Sequence, residues 1–133
     1  LGMYNFHPSH LAEGKFPGPN PFQEMVDAGE DTTRMTVHEV DAGFDTGKVV
    51  GYSPEINIRK ADGSYPCIPD LHRKTAEAAG KMAVTLIRHL ISTRARCTSF
   101  DFEAGFSDEE RASLMTPVDI GRKVGRVAPI ELK

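Results

Sequence analysis

The sequence predicts an α/β domain, a sheet of at least three short strands with flanking helices. Three observations point that way. Segments with apolar residues at every second position lie in the first half of the chain, and one long stretch with helical apolar spacing lies in the second. Loops rich in Gly, Pro, Asn and Asp separate them. At 133 residues, with 39% apolar and 26% charged side chains, the chain can bury a real core as one globular domain.

Leu1 to His7 is apolar and β-compatible, and Pro8 holds His7 in extended backbone, so the first strand ends there. Gly14 to Pro19 is a loop by composition. Asn20-Pro21 predicts a helix start, with Asn20 as N-cap, Pro21 at the first helical position and Gln23 three residues after the cap. Phe22, Met25 and Val26 share a face, and Gly29 closes the helix. Arg34 to Val40 alternates as a half-buried strand does. Two Asp-x-Gly triplets make residues 41–47 a loop. Val49 to Ile58 returns as strand, and Pro54 marks an edge or a bulge within it.

From about Asp70 to Thr93 one long helix is expected, its stripe made of Leu71, Ala79, Met82, Leu86 and Leu90 and widened by Ala83, Ile87 and Ile91. Ser107 with Glu110 forms a capping box for a short helix ending near Thr116-Pro117. The tail, with Arg122, Lys123, Arg126 and Lys133 among Gly121, Gly125 and Pro129, reads as an extended arm. The organisation expected is a catalytic segment over 1–93 and a C-terminal extension over 94–133.

A net charge of −3 gives no electrostatic reason to expect nucleic acid. The longest apolar run, Ala83 to Ile87, is too short to span a membrane, and the first residues lack a basic and then apolar leader. Cys67 and Cys97 have no motif spacing, which suits two free thiols in a reducing cytoplasm. The chain opens on Leu1-Gly2 and enters a strand at once. A fragment or truncated domain is therefore expected, able to form a homo-oligomer through an exposed sheet edge.

Residues two apart on a strand share a face, so Asn5 and His7 present their side chains together at a strand end, where open α/β sheets place ligands. An Asn amide there can donate to an oxygen that gathers charge during acyl transfer. The imidazole can donate or move a proton at neutral pH, and Asp45, seven residues after His38, can orient it. Those parts fit transfer of a small acyl group to an amine without a side-chain nucleophile. Taken singly, Asn5 and His7 also suit a turn and a surface position, and Asp45 a plain turn; their combination argues for a site. His38 is expected to be structural. His7, His10, His38 and Asp45 could ligate zinc, but they lack a helical i, i+4 pair and His10 lies beyond a Pro, so no metal is expected.

Asn5-Phe6-His7-Pro8-Ser9 resembles the Asn-x-His-Pro-Ser signature of the folate-dependent formyltransferases. Thr36-Val37-His38 with Asp45-Thr46-Gly47 resembles the second signature of that family in order and spacing. Gly43 to Gly47 is most similar to the methionyl-tRNA version and His7-Pro8-Ser9 to the phosphoribosylglycinamide version, while Gly18 to Phe22 resembles formyltetrahydrofolate deformylase. The resemblance covers Met3 to Ile58 well and weakens through the long helix. It implies a formyltransferase-like fold, of which this chain would be the C-terminal portion of a mixed sheet with flanking helices, lacking an upstream nucleotide-fold half. It implies Asn5, His7 and Asp45 as the catalytic set, acting on 10-formyltetrahydrofolate and an amine acceptor. It also implies folate contacts from Ser9, Leu11, Val40 and Asp41, although Ser9-His10-Leu11-Ala12 stands where relatives have Ser-Leu-Leu-Pro. Nucleic acid would enter only as a charged tRNA acceptor. Two alternatives share these residues: a non-catalytic interaction or dimerisation module derived from the family, and a hydrolase of the formyl donor.

Overall fold

A computed structural model describes residues 2–41 and 47–119. The expected catalytic Asp45 and the basic tail from residue 120 onward lie outside the described residues.

Among the described residues, five short strands form two sheets. β1 (Tyr4–His7), β3 (Thr36–Glu39) and β4 (Val49–Tyr52) make a three-stranded sheet in the order β1-β3-β4, and β2 (Thr32–Thr33) pairs with β5 (Ile56–Asn57). Every pairing among the described strands is antiparallel, which corrects the expectation of a mixed sheet. The reason is local: β3 and β4 are consecutive strands joined by a short connection, which suits opposite strand directions, whereas a parallel pair needs a crossover of about a dozen residues or more. The expected strand over 49–58 is two strands. Ser53 divides them, its hydroxyl donating to the Pro54 carbonyl at 2.7 Å and accepting from the Met35 amide at 2.9 Å. Pro54 cannot donate to a ladder, so the chain leaves one sheet there and enters the other.

Helix α1 (Pro21–Ala28) starts at Pro21 and ends at Gly29, whose φ of 73° suits a left-handed cap. The Asn20 side chain makes no capping bond; its backbone carbonyl accepts from Glu24 instead, and Gln23 turns forward to Asp27. Helix α2 (Ile68–Thr93) begins two residues earlier than expected, with Pro69 in its first turn. Its buried line is Leu71, Thr75, Ala78, Met82 and Leu86. Thr75 is tolerated there because its hydroxyl donates to the Leu71 carbonyl at 3.0 Å. Ile87 and Ile91 do not widen the stripe: they are 55% and 65% exposed.

Helix α3 (Asp108–Met115) carries the expected capping box, with Ser107 and Glu110 bonded reciprocally. Lys81 docks it on α2 through Glu110 at 2.6 Å, and Lys74 donates to the Thr116 carbonyl just past its C-terminus. The main core joins Met35, Val37, Val50 and Ile56 to the inner face of α2 and to Cys97, Phe102, Phe106 and Leu114. Each such large side chain contributes about 1.5–3 kcal/mol by leaving water. A smaller core gathers Phe22, Met25, Ile58, Leu71 and Val118.

The segment after α2 lies along β4, where the Phe100 amide donates to the Val50 carbonyl at 2.9 Å. Position 51 must be Gly for that approach, since a Cβ there would sit 2.3 Å from the Phe100 carbonyl oxygen. Cys67, exposed, and Cys97, buried, are both free thiols. Among the described residues no helix is long and apolar enough to cross a membrane.

Candidate active site

The register of β1 on β3 builds the site. Asn5 lies opposite His38 and His7 opposite Thr36, and side chains opposite one another on paired strands share a face. Tyr4 and Phe6 point the other way and pack against the main core. One face of this two-stranded ribbon therefore carries the chemistry while its reverse anchors it.

Asn5 is exposed, and its amide is held from the side. The His38 Nδ1 lies 3.0 Å from the Glu39 carbonyl oxygen, which only accepts, so Nδ1 carries hydrogen. The neutral ring then presents Nε2 as an acceptor, and the Asn5 Nδ2 donates to it at 3.3 Å. His38 is itself buried. This residue, expected to be merely structural, orients the amide of the motif. The signal lay in cross-strand pairing, which residue periodicity on one strand does not reveal.

Gly47 closes the base of the same hairpin. The Glu39 amide donates to the Lys48 carbonyl at 2.9 Å, and a Cβ at position 47 would lie 1.5 Å from the Glu39 carbonyl oxygen. The second Asp-x-Gly triplet thus ends in glycine for a steric reason: it leaves the Glu39 carbonyl where His38 needs it.

His7 is 5% exposed and sits beneath the 9–16 loop, its Nε2 2.8 Å from the Phe16 carbonyl oxygen. Ser9 is fully buried, and its hydroxyl donates to the Lys15 carbonyl at 2.7 Å. Thr36 donates to the Ser9 carbonyl at 2.6 Å and accepts from the Leu11 amide at 3.3 Å. The structure therefore places Ser9 and Leu11 in the scaffold that roofs His7. Val40 and Asp41 stand at the opposite, open end of the face, with the Val40 amide donating to the Met3 carbonyl.

His10 turns aside from this face. Its ring meets Tyr52 edge-on at 4.9 Å, and its Nε2 lies 3.6 Å from Glu13. Burial pushes its pKa below the usual histidine value, against the pull of Glu13. His7, His10 and His38 thus turn to three different partners.

A model of the family described as formyl transferase matches residues 1–87, well over half of the chain. The chain belongs to the formyltransferase family. The domain matched is the N-terminal domain of formyltransferases, which corrects the expectation of a C-terminal portion. Among curated relatives, the methionyl-tRNA formyltransferase of Paraburkholderia phymatum is 30% identical over 89 residues, 67% of this chain and 25% of that protein. That of Halothermothrix orenii is 27% identical over 131 residues, covering 95% of this chain and 35% of the relative. The trifunctional purine biosynthetic protein adenosine-3 of Drosophila pseudoobscura pseudoobscura is 44% identical over 48 residues, 36% of this chain and 3% of that protein. The chain spans about a quarter of the length of the first methionyl-tRNA formyltransferases it resembles. No solved structure matches it.

Proposed function

We propose that the intact protein containing this formyltransferase segment moves a formyl group from 10-formyltetrahydrofolate to an amine. The observation that carries this reading is the Asn5–His38 pair on the face that also bears His7. An amide nitrogen has two hydrogens. His38 takes one, and the amide so held is assigned to donate to the formyl oxygen as it gains charge. His7, roofed by the loop, moves the proton that the attacking nitrogen must shed. Asp45 is assigned the roles of tuning His7 and relaying its proton, with Leu11, Val40 and Asp41 bordering the folate and Ser9 fixing the loop that carries Leu11. The donor set suits a formyl oxygen and an amine, and it needs neither a metal nor a side-chain nucleophile.

The acceptor is a primary amine; the names of the relatives make the aminoacyl end of methionyl-tRNA the first to test. Titration of the intact protein with a non-transferable 10-formyltetrahydrofolate analogue, followed by transfer assays, decides the matter. Saturable binding and formylation of an amine are expected. Release of formate without any amine product would mark a hydrolase using the same residues on water.

A second reading has its own observation. Met3 is 72% exposed, and Val84, Ile87 and Ile91 follow one another at helical spacing on the outer side of α2, also exposed. Met3, next to β1, favours a module that associates through the outer edge of that strand, with another copy or with further polypeptide, and the α2 groups offer a separate apolar surface. A chain that stays monomeric at high concentration in sedimentation, while its intact form binds the analogue, would remove self-association.

A further inference from the structure

We propose that the backbone carbonyl of Phe16 sets the tautomer of His7 and makes Nδ1 the ring atom that takes up and releases the proton. A carbonyl oxygen only accepts, so the 2.8 Å contact requires hydrogen on Nε2. It is there in the neutral ring and remains there in the cation. While the contact holds, only Nδ1 changes its protonation. The tautomer follows from the contact alone; the proton-moving role rests on the formyl-transfer reading.

The loop is built to aim that carbonyl. Phe16 has φ of 52°, a region that side chains with a Cβ avoid, between Gly14 at 71° and Gly18 at 104°. Two anchors hold it. Its ring packs against the smaller core of Phe22, Met25, Ile58 and Leu71. Its backbone is gripped by the buried Ser9 hydroxyl, which donates to the Lys15 carbonyl and, at 3.3 Å, to the Phe16 carbonyl itself. A strained residue held from both sides positions a neighbouring group more tightly than a relaxed loop does. Phe16 is thus a positioning residue. The two imidazoles of the ribbon are set oppositely, His7 with hydrogen on Nε2 and His38 with hydrogen on Nδ1.

Ring nitrogen shifts of the 15N-labelled protein test this directly. The expected result is a neutral His7 protonated on Nε2 beside a neutral His38 protonated on Nδ1; a His7 protonated on Nδ1 overturns the proposal. Stability gives a second readout without any substrate. The Gln side chain extends its amide nitrogen toward the place of Nε2, whereas the Asn side chain is shorter and stands in for Nδ1. His7→Gln is therefore expected to melt above His7→Asn, and the reverse order counts against the proposal. In the intact enzyme, Phe16→Ala is expected to move the His7 shifts toward a tautomer mixture and to lower kcat by about tenfold with KM within about twofold. Unchanged shifts in that variant overturn it. A wild type that transfers no formyl group while His7 keeps hydrogen on Nε2 sinks the formyl-transfer reading and leaves the tautomer standing.

Discussion

At one end of the β1–β3 ribbon, His7, Ser9 and Thr36 lie buried beneath the 9–16 loop, and their polar atoms are bonded to that loop's backbone. At the other end Asn5 and Met3 face outward, Val40 is 46% exposed, and the buried His38 steadies the amide. The covered end binds chemistry and fold together, because a group removed there orphans a partner that water reaches poorly. The open end separates the two. Asn5 can be changed with little effect on packing, so its worth is measured in turnover.

Removing each side chain of the pair sharpens this contrast most. His7→Ala in the intact protein is expected to lower kcat by about a hundredfold or more. It should also cost about 1–3 kcal/mol of stability through the loss of its bond to the Phe16 carbonyl. Asn5→Ala is expected to lower kcat by about a hundredfold, with stability changed by no more than about 0.5 kcal/mol. Turnover and denaturant midpoints measured on both variants decide it, and equal destabilisation would erase the distinction between the ends.

Thr36→Val comes next, because it removes a buried hydroxyl that serves both the Ser9 carbonyl and the Leu11 amide. A loss of about 1–3 kcal/mol is expected, together with faster proteolysis within the 9–16 loop. Gly47→Ala tests the open end through its backbone. The new Cβ must displace the Glu39 carbonyl, so a change in the His38 ring nitrogen shifts is expected, with about 1–3 kcal/mol lost to strain.

The smallest effect lies far from the ribbon and serves as a control. Bonding to Lys81, and then to the Ser107 backbone, holds the Glu110 pKa down to about 2. A carboxylate depressed in the folded state stabilises fully above its ordinary value near 4.5, and that contribution is lost as pH falls toward about 2. Protection of α3 amides should weaken over that window in the wild type, whereas Glu110→Gln, already lacking the charge, should show less dependence on pH.

Much of this architecture was legible where a local signal sufficed. Gly29 and the Ser107–Glu110 box mark helix ends through backbone chemistry, and Pro8 ends β1. Strand direction was not legible, because alternation has the same period in parallel and antiparallel sheets. Two-residue strands such as Thr32–Thr33 are too short for any periodicity to register. Ile87 and Ile91 fitted an apolar stripe, yet sequence cannot tell which of two adjoining apolar faces meets the core. Asn5 and His7 were legible as a pair, while the role of His38 depends on register. Gly47 falls in an expected loop and Gly51 in an expected strand, and only the close approach of a backbone explains why each is glycine.

The crossing of Phe100 over β4 gives the three-stranded sheet a direction of growth. The Phe100 amide occupies the Val50 carbonyl on the flank where a further strand would have to join, and Gly51 lets that segment press in. An incoming strand is thereby turned toward β1. Whatever extends this sheet would do so at a seam bordered by Asn5 and His7, so that joining polypeptide would also set the surroundings of those two side chains.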